Sequence, residues 1–291
     1  MFSSDNEPFS LITICYGRER HLMNLLRGVQ VSEVLPEEII IVEPGPSACL
    51  IGFADLPIKS VTLPLSGDGN FNVAKARNLG ASTAKYDLMV FLDVDCLPDP
   101  TFFGELIRHP AAKHALLMGD PHYLYRPLPQ DWEMASLGDL SVAHPIRPEM
   151  GTESFRTDVY GMFWSLCFLV SRSVFKKIGG FDDYYTGYGA EDTDFAFSAR
   201  KLEIPLYLVP AVAYHQQHLV YTPPINHFED IISNSRRFHQ KWAMWPMDNW
   251  LTDFLEMNLI EWSVSAEDIT VLDFPTRKLL KKCERPSAPY A

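Results

Sequence analysis

Two carboxylates separated by one residue follow a strongly apolar run of the chain. The run Leu88–Leu92 ends at Asp93, and Asp95 stands two positions later. Pro98 and Pro100 then prevent the strand from continuing. Two carboxylates at the end of a buried strand suit a hard divalent cation with oxygen ligands. They are also compatible with turn and capping roles, which aspartates often have at strand ends.

A second acidic group lies in a stretch rich in glycine and tyrosine, residues 179–194. Its carboxylates are Asp182, Asp183, Glu191, Asp192 and Asp194. Acidic residues at a helix N-terminus complement the helix dipole and cap free N–H groups, which is a purely structural explanation. The rings of Tyr185 and Tyr188 could stack on the face of a sugar or could pack the loop. This stretch is therefore a candidate wall of a site for a flat, polar ligand.

Composition and charge narrow the class of protein. The chain has 291 residues, and 25 basic against 37 acidic residues give a formal net charge of −12. Affinity for nucleic acid depends on clustered Lys and Arg, so we expect no nucleic-acid partner. With 47% hydrophobic and 21% charged residues, the composition is that of an ordered globular protein with a sizeable core.

Neither the cysteines nor the N-terminus is typical of an exported protein. The five cysteines stand at least 34 positions apart, so no CxxC pair is present and reduced, mostly buried thiols are expected. Residues 1–8 contain no basic patch followed by an apolar stretch, which argues against a signal peptide. The apolar run 162–170 is too short to span a bilayer. We therefore expect a cytoplasmic location.

Apolar runs without alternation predict buried parallel strands. Those in the first part of the chain are 11–15, 38–42, 60–63 and 88–92. Helical spacing of apolar residues predicts helices at 20–35 and 72–85. Strands that alternate with helices predict an open, mostly parallel α/β sheet flanked by helices. The ligand crevice of such a sheet lies beyond the carboxyl ends of its strands.

The later part of the chain is less regular. Proline-rich residues 119–160 predict an irregular excursion over the surface. The elements expected beyond it are a strand at 163–170, helices at 171–178 and 191–202, and a strand at 206–214. Ser171 is the expected N-cap of the first of these helices, and Gly179 its C-terminal stop. Residues 226–262 are rich in Trp and helical in period, and the tail 275–291 is basic.

Three blocks in this order resemble the glycosyltransferases of the GT-A fold. Residues 72–80, Asn-Val-Ala-Lys-Ala-Arg-Asn-Leu-Gly, are similar to the family's Ala-Arg-Asn-x-Gly helix. Asp93-Val-Asp95 matches its DxD motif. Residues 179–182, Gly-Gly-Phe-Asp, and 187–192, Gly-Tyr-Gly-Ala-Glu-Asp, look like its GGFD and GxGxED segments. The resemblance is to family-2-like members with a galactosyltransferase-type C-terminal module.

The resemblance covers about residues 9–220 and implies a division of the chain. Residues 1–220 would form the GT-A catalytic domain, with a nucleotide-sugar half at about 9–118 and an acceptor half at about 160–220. Residues 221–291 would form a helical C-terminal extension.

The implied activity is transfer of a sugar from a nucleotide diphosphate donor to a hydroxyl group. A UDP-sugar is the expected donor, and a glycan or glycolipid the expected acceptor. In the resembling inverting enzymes the Asp of the Glu-Asp pair takes the acceptor's proton, which assigns that role to Asp192. Glu191 would bind hydroxyls of acceptor or donor, while Tyr185 and Tyr188 would contact the acceptor. The intact acidic pair favours inversion.

A divalent cation is expected as the cofactor. A diphosphate beside carboxylates on a protein of charge −12 requires an intervening cation, which would also stabilise the leaving diphosphate. Asp93 and Asp95 would bind this cation. The resemblance adds His215 as a further ligand, with His218 as its substitute. A histidine ligand favours Mn²⁺ over Mg²⁺.

Donor contacts are expected near the ends of the first strands. Tyr16 and Arg18 should wrap the nucleobase and ribose, and Asp93 should face the donor. The family usually has an Asp after the second strand, whereas Glu43 is the nearest acid in this sequence. Arg77 could approach the nucleotide or stack on the helix surface, and the first interpretation is favoured.

Two other functions compete with this interpretation. Asp93 as nucleophile and Asp95 as acid/base would suit a phosphohydrolase of the haloacid-dehalogenase type, but that family has Thr or Val in place of Leu97 and carries the motif near its first strand. A non-catalytic, GT-A-shaped binding protein would normally have lost some of the acids.

The basic tail could also contact an anionic membrane surface through Lys278, Lys281, Lys282 and Arg285. No oligomeric state is predicted.

Overall fold

The computed structural model describes residues 7–45, 48–67 and 69–290. The expectation about a signal peptide falls largely on residues 1–6, which lie outside this part. The strands are β1 (Phe9–Ile14), β2 (Glu38–Glu43), β3 (Ile58–Thr62), β4 (Leu88–Leu92), β5 (Cys96–Pro98), β6 (Leu116–Leu124), β7 (Ser141–Ala143), β8 (Phe155–Thr157), β9 (Cys167–Ser171), β10 (Leu206–His215), β11 (Val220–Tyr221), β12 (Ile260–Glu261), β13 (Thr270–Val271) and β14 (Glu284–Arg285). The α-helices are α1 (Glu19–Gln30), α2 (Val73–Thr83), α3 (Phe102–Ile107), α4 (Arg172–Ile178), α5 (Glu191–Lys201), α6 (Phe228–Trp242), α7 (Asp248–Glu256) and α8 (Arg277–Cys283).

A ten-stranded sheet forms the centre of the fold. Its main path is β3-β2-β1-β4-β9-β6-β10-β5, with β7 beside β6 and β8 beside β10. Strands β3, β2, β1 and β4 are mutually parallel, and β6 is parallel to β10. Strand β9 is antiparallel to both β4 and β6, so those six strands all run in one direction. The prediction of an open, mostly parallel α/β sheet flanked by helices is confirmed.

Both faces of the sheet are covered, which explains the continuous apolar strands. Every residue of β2 and β4 is buried. Helices α1 and α3 pack on one face, and α2, α4 and α5 pack on the other. Helix α2 lies so close to β1 that a Cβ atom on Gly80 would come within 2.5 Å of the Cγ2 atom of Ile12. The predicted caps of α4 are confirmed, because the Ser171 side chain accepts a hydrogen bond from the Val174 N–H and Gly179 adopts a φ of +100° at the C-terminus.

Two expectations about the less regular segments were wrong in part. Strand β6 runs into the stretch predicted to be irregular and contains Pro121, which has no N–H for a ladder hydrogen bond. Its register against β10 shifts between Leu208 and Val212, next to that proline. In the segment predicted to be helical, α6 and α7 are confirmed, but Ile260 belongs to a strand that pairs with β13.

The chain after β10 has its own small core. The core is formed by Ile225, Phe228, Ile231, Ile232, Leu251, Phe254, Leu259, Ile260, Trp262, Ile269 and Cys283. Strand β14 pairs with β11, which brings the C-terminal tail back to the segment that follows β10. Among the described residues, every helix is too short or too polar to cross a membrane.

Candidate active site

A cavity of about 690 Å³ opens at the carboxyl ends of β1 and β4. Its wall includes residues from the segments that follow β1, β4 and β10, from the start of α2 and from the loop before α5. Seven of the predicted site residues line it, namely Tyr16, Arg18, Arg77, Asp93, Asp95, Tyr188 and His218. The position matches the crevice expected for an open α/β sheet.

Asp95 lies between two histidines. Strand β5 pairs antiparallel with β10 so that Cys96 is opposite His215, and this register places Asp95 beside the end of β10. His215 Nε2 and His218 Nε2 each lie 3.6 Å from one carboxylate oxygen of Asp95. The Arg18 guanidinium lies 3.6 Å from the same carboxylate. Both candidate histidines are thus present together.

This trio has the chemistry of a metal site. One ligand atom from each of Asp95, His215 and His218 can be chosen so that all lie within 4.8 Å of one another. Burial lowers the pKa of His215, so its imidazole is neutral and keeps a lone pair for a cation. A carboxylate with two imidazoles suits Mn²⁺ better than Mg²⁺, because Mn²⁺ accepts nitrogen ligands more readily than Mg²⁺, which prefers oxygen ligands.

Arg77 links Asp93 to the start of α5. Its side chain is 4% exposed, and its guanidinium nitrogens lie 3.1 Å from Asp93 Oδ1 and 3.1 Å from Glu191 Oε1. Burial alone would lower the pKa of Arg77, but the carboxylates outweigh burial and raise it, so the guanidinium is charged. Burial raises the pKa of Asp93 to about 6, against the opposing effect of Arg77. Arg77 therefore reaches the cavity as part of an ion-paired group.

Asp192 lies in the first turn of α5, directly after Glu191. Its Oδ1 atom accepts hydrogen bonds from the Thr193 N–H at 2.6 Å and the Thr193 hydroxyl at 3.3 Å. Burial, followed by the charge of Glu191, raises the pKa of Asp192 to about 7. A carboxylate with that pKa can take a proton at neutral pH, as a general base must.

The two predicted acceptor tyrosines have different surroundings. Tyr185 is 3% exposed and packs in the core, where its hydroxyl donates to Asp194 Oδ1 at 3.2 Å. Tyr188 is 38% exposed and lines the cavity. Its ring stacks on His227 with centroids 4.4 Å apart, and lies 5.7 Å from Trp250. Tyr188 is thus the candidate acceptor contact of the two.

The predicted donor residues also differ in exposure. Tyr16 is half exposed, and its ring lies 5.5 Å from that of Phe71 at the cavity wall. Glu43 ends β2 with its side chain fully buried, where it accepts a hydrogen bond from Ser60 Oγ at 2.5 Å.

The sequence analysis missed the contribution of the segment after β11. His227 and Asp230 line the same cavity as Tyr16 and Arg18. Asn234, one turn further along α6, is buried against the loop that precedes α5. The available signal was the helical spacing of polar residues in α6, which does not by itself reveal which face is covered.

Comparison with known proteins identifies the family. A family model described as glycosyl transferase family 2 matches residues 10–179, more than half of the 291-residue chain. The chain belongs to glycosyl transferase family 2. A second model, described as the N-terminal domain of galactosyltransferase, matches residues 153–216. That range contains the GGFD and GxGxED segments.

Curated proteins similar to this family 2 chain include a glucosyltransferase and a polysaccharide synthase. It is 28% identical to a validoxylamine A glucosyltransferase of Streptomyces hygroscopicus subsp. jinggangensis in an alignment 158 positions long, which covers 48% of this chain and 37% of that protein. It is 25% identical to the chondroitin synthase of Pasteurella multocida in an alignment 244 positions long, which covers 73% of this chain and 25% of that protein. The chain thus spans well under half of the length of either relative.

Solved structures confirm the GT-A fold. The structure of GalNAc-T7 with UDP, GalNAc and Mn²⁺ superposes with a TM-score of 0.55 at 16% identity and covers 73% of this chain and 44% of that one. The S. aureus TarS fragment 1–349 gives 0.53 at 15% identity, with 78% and 64% covered. The same fragment in complex with UDP-GlcNAc gives 0.52 at 14% identity, with 78% and 65% covered.

Proposed function

We propose that this chain is a metal-dependent, inverting glycosyltransferase that moves a sugar from a UDP-sugar to a hydroxyl group of a glycan or glycolipid. The observation that carries the proposal is the meeting of Asp95 with His215 and His218 at one wall of the cavity, with Arg77 joining Asp93 to the acidic start of α5. Membership of family 2 supports the reaction class.

Asp95, His215 and His218 are the residues that would hold the cation, with Asp93 beside them. A cation bound there supplies positive charge close to the leaving diphosphate. Arg18 adds a second positive group 3.6 Å from Asp95. The Mn²⁺ in the GalNAc-T7 structure and the UDP-GlcNAc in the TarS complex support the choice of metal and nucleotide. Tyr16 is the exposed ring available to the nucleobase.

Asp192 is the proposed general base. The acceptor hydroxyl would lose its proton to Asp192 as its oxygen attacks the anomeric carbon on the side opposite the leaving diphosphate, which inverts that centre. Glu191 is fixed by its ion pair with Arg77 and would orient hydroxyls. Tyr188 would provide an aromatic surface for the acceptor.

The chain is proposed to have two parts. We assign residues 1–220 to the catalytic domain and residues 221–291 to a C-terminal extension. We also propose that the protein acts in the cytoplasm.

The two competing functions have less support. A phosphohydrolase needs Asp93 as a free nucleophile, whereas Arg77 holds this carboxylate in an ion pair at 3.1 Å. A binding protein without turnover does not explain why all four acids are kept, Asp93, Asp95, Glu191 and Asp192.

A thermal-shift panel tests the proposal directly. Nucleoside diphosphates of each base, and the corresponding sugar nucleotides, are added to the full chain with and without Mn²⁺. We expect stabilisation by UDP and UDP-sugars that requires Mn²⁺, because a ligand that binds only the folded state raises its apparent stability. If no nucleotide stabilises the protein with Mn²⁺ present, the proposal is wrong and the non-catalytic interpretation takes its place.

A further inference from the structure

Helix α6 of the C-terminal extension turns a polar stripe toward the loop that leads into α5. The stripe consists of Asp230, Asn234, Arg237 and Lys241, which recur at helical spacing. A helix normally buries an apolar stripe, and buried polar groups require partners. All four side chains contact the segment 182–194, which carries the proposed base at one end.

Asn234 is at the centre of this contact. Its side chain is 3% exposed. Its Nδ2 atom lies 2.9 Å from the carbonyl oxygen of Thr186, 3.1 Å from that of Tyr188 and 3.0 Å from that of Gly189. An amide offers only two N–H donors, so the three carbonyls share them. Asn234 thus fixes the backbone on both sides of the cavity-lining Tyr188.

The loop held in this way includes one residue, Ala190, in an unfavourable backbone conformation. Gly187, Gly189 and Ala190 all have positive φ, at +69°, +93° and +73°. A left-handed alanine is uncommon and persists only where its surroundings hold it. The carboxylate of Asp230 lies where a Cβ on Gly187 would be, so the helix covers this loop closely. Ala190 is the residue from which α5 starts.

Helix α6 also contacts both ends of the segment 182–194. Lys241 Nζ lies 2.7 Å from Asp194 Oδ2, and Trp242 Nε1 donates to Asp194 Oδ1 at 2.7 Å. Asp194 is 1% exposed and belongs to the first turn of α5. Arg237 pairs with Asp182 at 3.1 Å. The contacts of α6 therefore lie on both sides of Asp192 along the chain.

We propose that Asn234 is a positioning residue for the acceptor side of the active site. It keeps the 186–190 loop in the one conformation that presents Tyr188 to the cavity and sets the start of α5, and so the direction of Asp192. The inference rests on the proposed function, and it makes the extension a working part of the site. Donor and metal binding, which use β1, β4 and β10, do not depend on Asn234.

The first test compares hydrogen exchange in the full-length protein. Asn234→Ala removes the amide, Asn234→Asp keeps its size but removes both donors, and Gln240→Ala is the matched control, since Gln240 is an exposed amide on the same helix. We expect both Asn234 variants to exchange at least about tenfold faster at residues 186–193, with β1 and β4 unchanged. Exchange equal to wild type in the Asp variant would overturn the proposal, because Asn234 would then act only by filling space.

The second test separates positioning from general stability. UDP binding in Mn²⁺ is measured by calorimetry, and turnover as hydrolysis of the UDP-sugar that best stabilises the wild type. We expect an unchanged Kd for UDP and an unchanged KM, with kcat lowered at least about tenfold in both Asn234 variants. Loss of UDP binding together with kcat would assign Asn234 to the fold as a whole and overturn the proposal. If the wild type itself binds no nucleotide, the proposed function fails, while the exchange test still decides the role of Asn234 in the loop.

Discussion

Asp93 and Glu191 share one guanidinium, that of Arg77, although they come from opposite sides of the site. Asp93 follows β4 next to the candidate metal residues, and Glu191 begins α5 next to the proposed base. Both ion pairs measure 3.1 Å, and Arg77 itself is 4% exposed. The buried guanidinium of Arg77 thus connects the donor side of the site to the acceptor side through two ion pairs.

Removal of Arg77 should therefore destabilise the fold. Arg77→Met leaves two carboxylates without their partner in a largely buried position, and breaking such a group costs about 3–5 kcal/mol. Denaturant unfolding at neutral pH measures the loss, with Lys75→Met as the control, since Lys75 is exposed on the same helix. A change below about 1 kcal/mol would mean that water already screens these pairs.

Asp95 should be essential for nucleotide binding. Asp95→Asn removes the carboxylate that both histidines face, so we expect Mn²⁺-dependent affinity for UDP to fall at least about 100-fold, more than the loss of an outer-shell partner causes. Calorimetry with and without Mn²⁺ measures it. Asp99→Asn is the control, because Asp99 lies just after β5 and its carboxylate bonds Thr101 and Tyr214. Unaltered UDP affinity in the Asp95 variant would remove the metal site from this position.

His215 and His218 should both be required. Each Nε2 lies 3.6 Å from an oxygen of Asp95, so we predict that both histidines bind the cation, whereas the sequence suggested one ligand with the other as its substitute. We expect His215→Ala and His218→Ala each to weaken Mn²⁺ binding at least about 100-fold, since the loss of an outer-shell partner alone costs about 10–100-fold. The Mn²⁺ affinity of each variant is measured by titration with Mn²⁺, in which electron paramagnetic resonance reports the concentration of the free ion. Wild-type affinity in either variant would leave a single histidine ligand.

The sequence predicted those parts of the fold and site that depend on local pattern. Strands β2 and β4 were evident because both of their faces are buried, so every residue of β4 and the four central residues of β2 are apolar. Helix α4 carries its own start and stop signals at Ser171 and Gly179. Strand β6 was hidden by Pro121, which is typical of irregular segments, although it pairs in register with Ala213 of β10. That pairing depends on a strand far away in sequence, so no local pattern reveals it.

The same limit applies to the site. Asp93 and Asp95 stand out at the end of β4, but the proximity of both His215 and His218 to Asp95 depends on the antiparallel pairing of β5 with β10. Tyr185 and Tyr188 look equivalent in sequence, and only the packing against Asp194 distinguishes the buried ring from the exposed one. Asn234 was missed because its partners are backbone carbonyls, and every residue has one, so the residue types of the loop do not indicate the contact.

Membrane contact by the tail is a separate prediction. Lys278, Lys281, Lys282 and Arg285 are all exposed, whereas Cys283 on the same segment is buried in the C-terminal core. Replacing the four basic residues by alanine is therefore a cleaner test than truncation, which would also remove β14. We expect the wild type to float with anionic vesicles and the variant to do so much less, since each basic residue contributes about 1 kcal/mol. Equal recovery, or flotation with neutral vesicles, would contradict this contact.

Asp192 should make turnover rise with pH. Burial and Glu191 raise its pKa to about 7, and a general base acts only when it is deprotonated. Transfer should therefore increase about tenfold per pH unit below 7 and level off above it. The Asp192→Asn variant should bind UDP in Mn²⁺ as the wild type does and yet show no transfer, which separates the base from the metal site.

The raised pKa of Asp192 also has a consequence for stability. A carboxyl whose folded pKa lies above its unfolded value stabilises the fold only while protonated, and this contribution is lost as pH rises from about 4 to about 7. The wild type should consequently lose stability relative to Asp192→Asn over that interval, because the amide stays neutral. Thermal unfolding of both proteins at pH 5 and pH 8 measures the difference. If the stability difference between the two proteins were the same at pH 5 and pH 8, the pKa of Asp192 would not be raised by folding, and its assignment as a base that titrates near neutrality would lose its support.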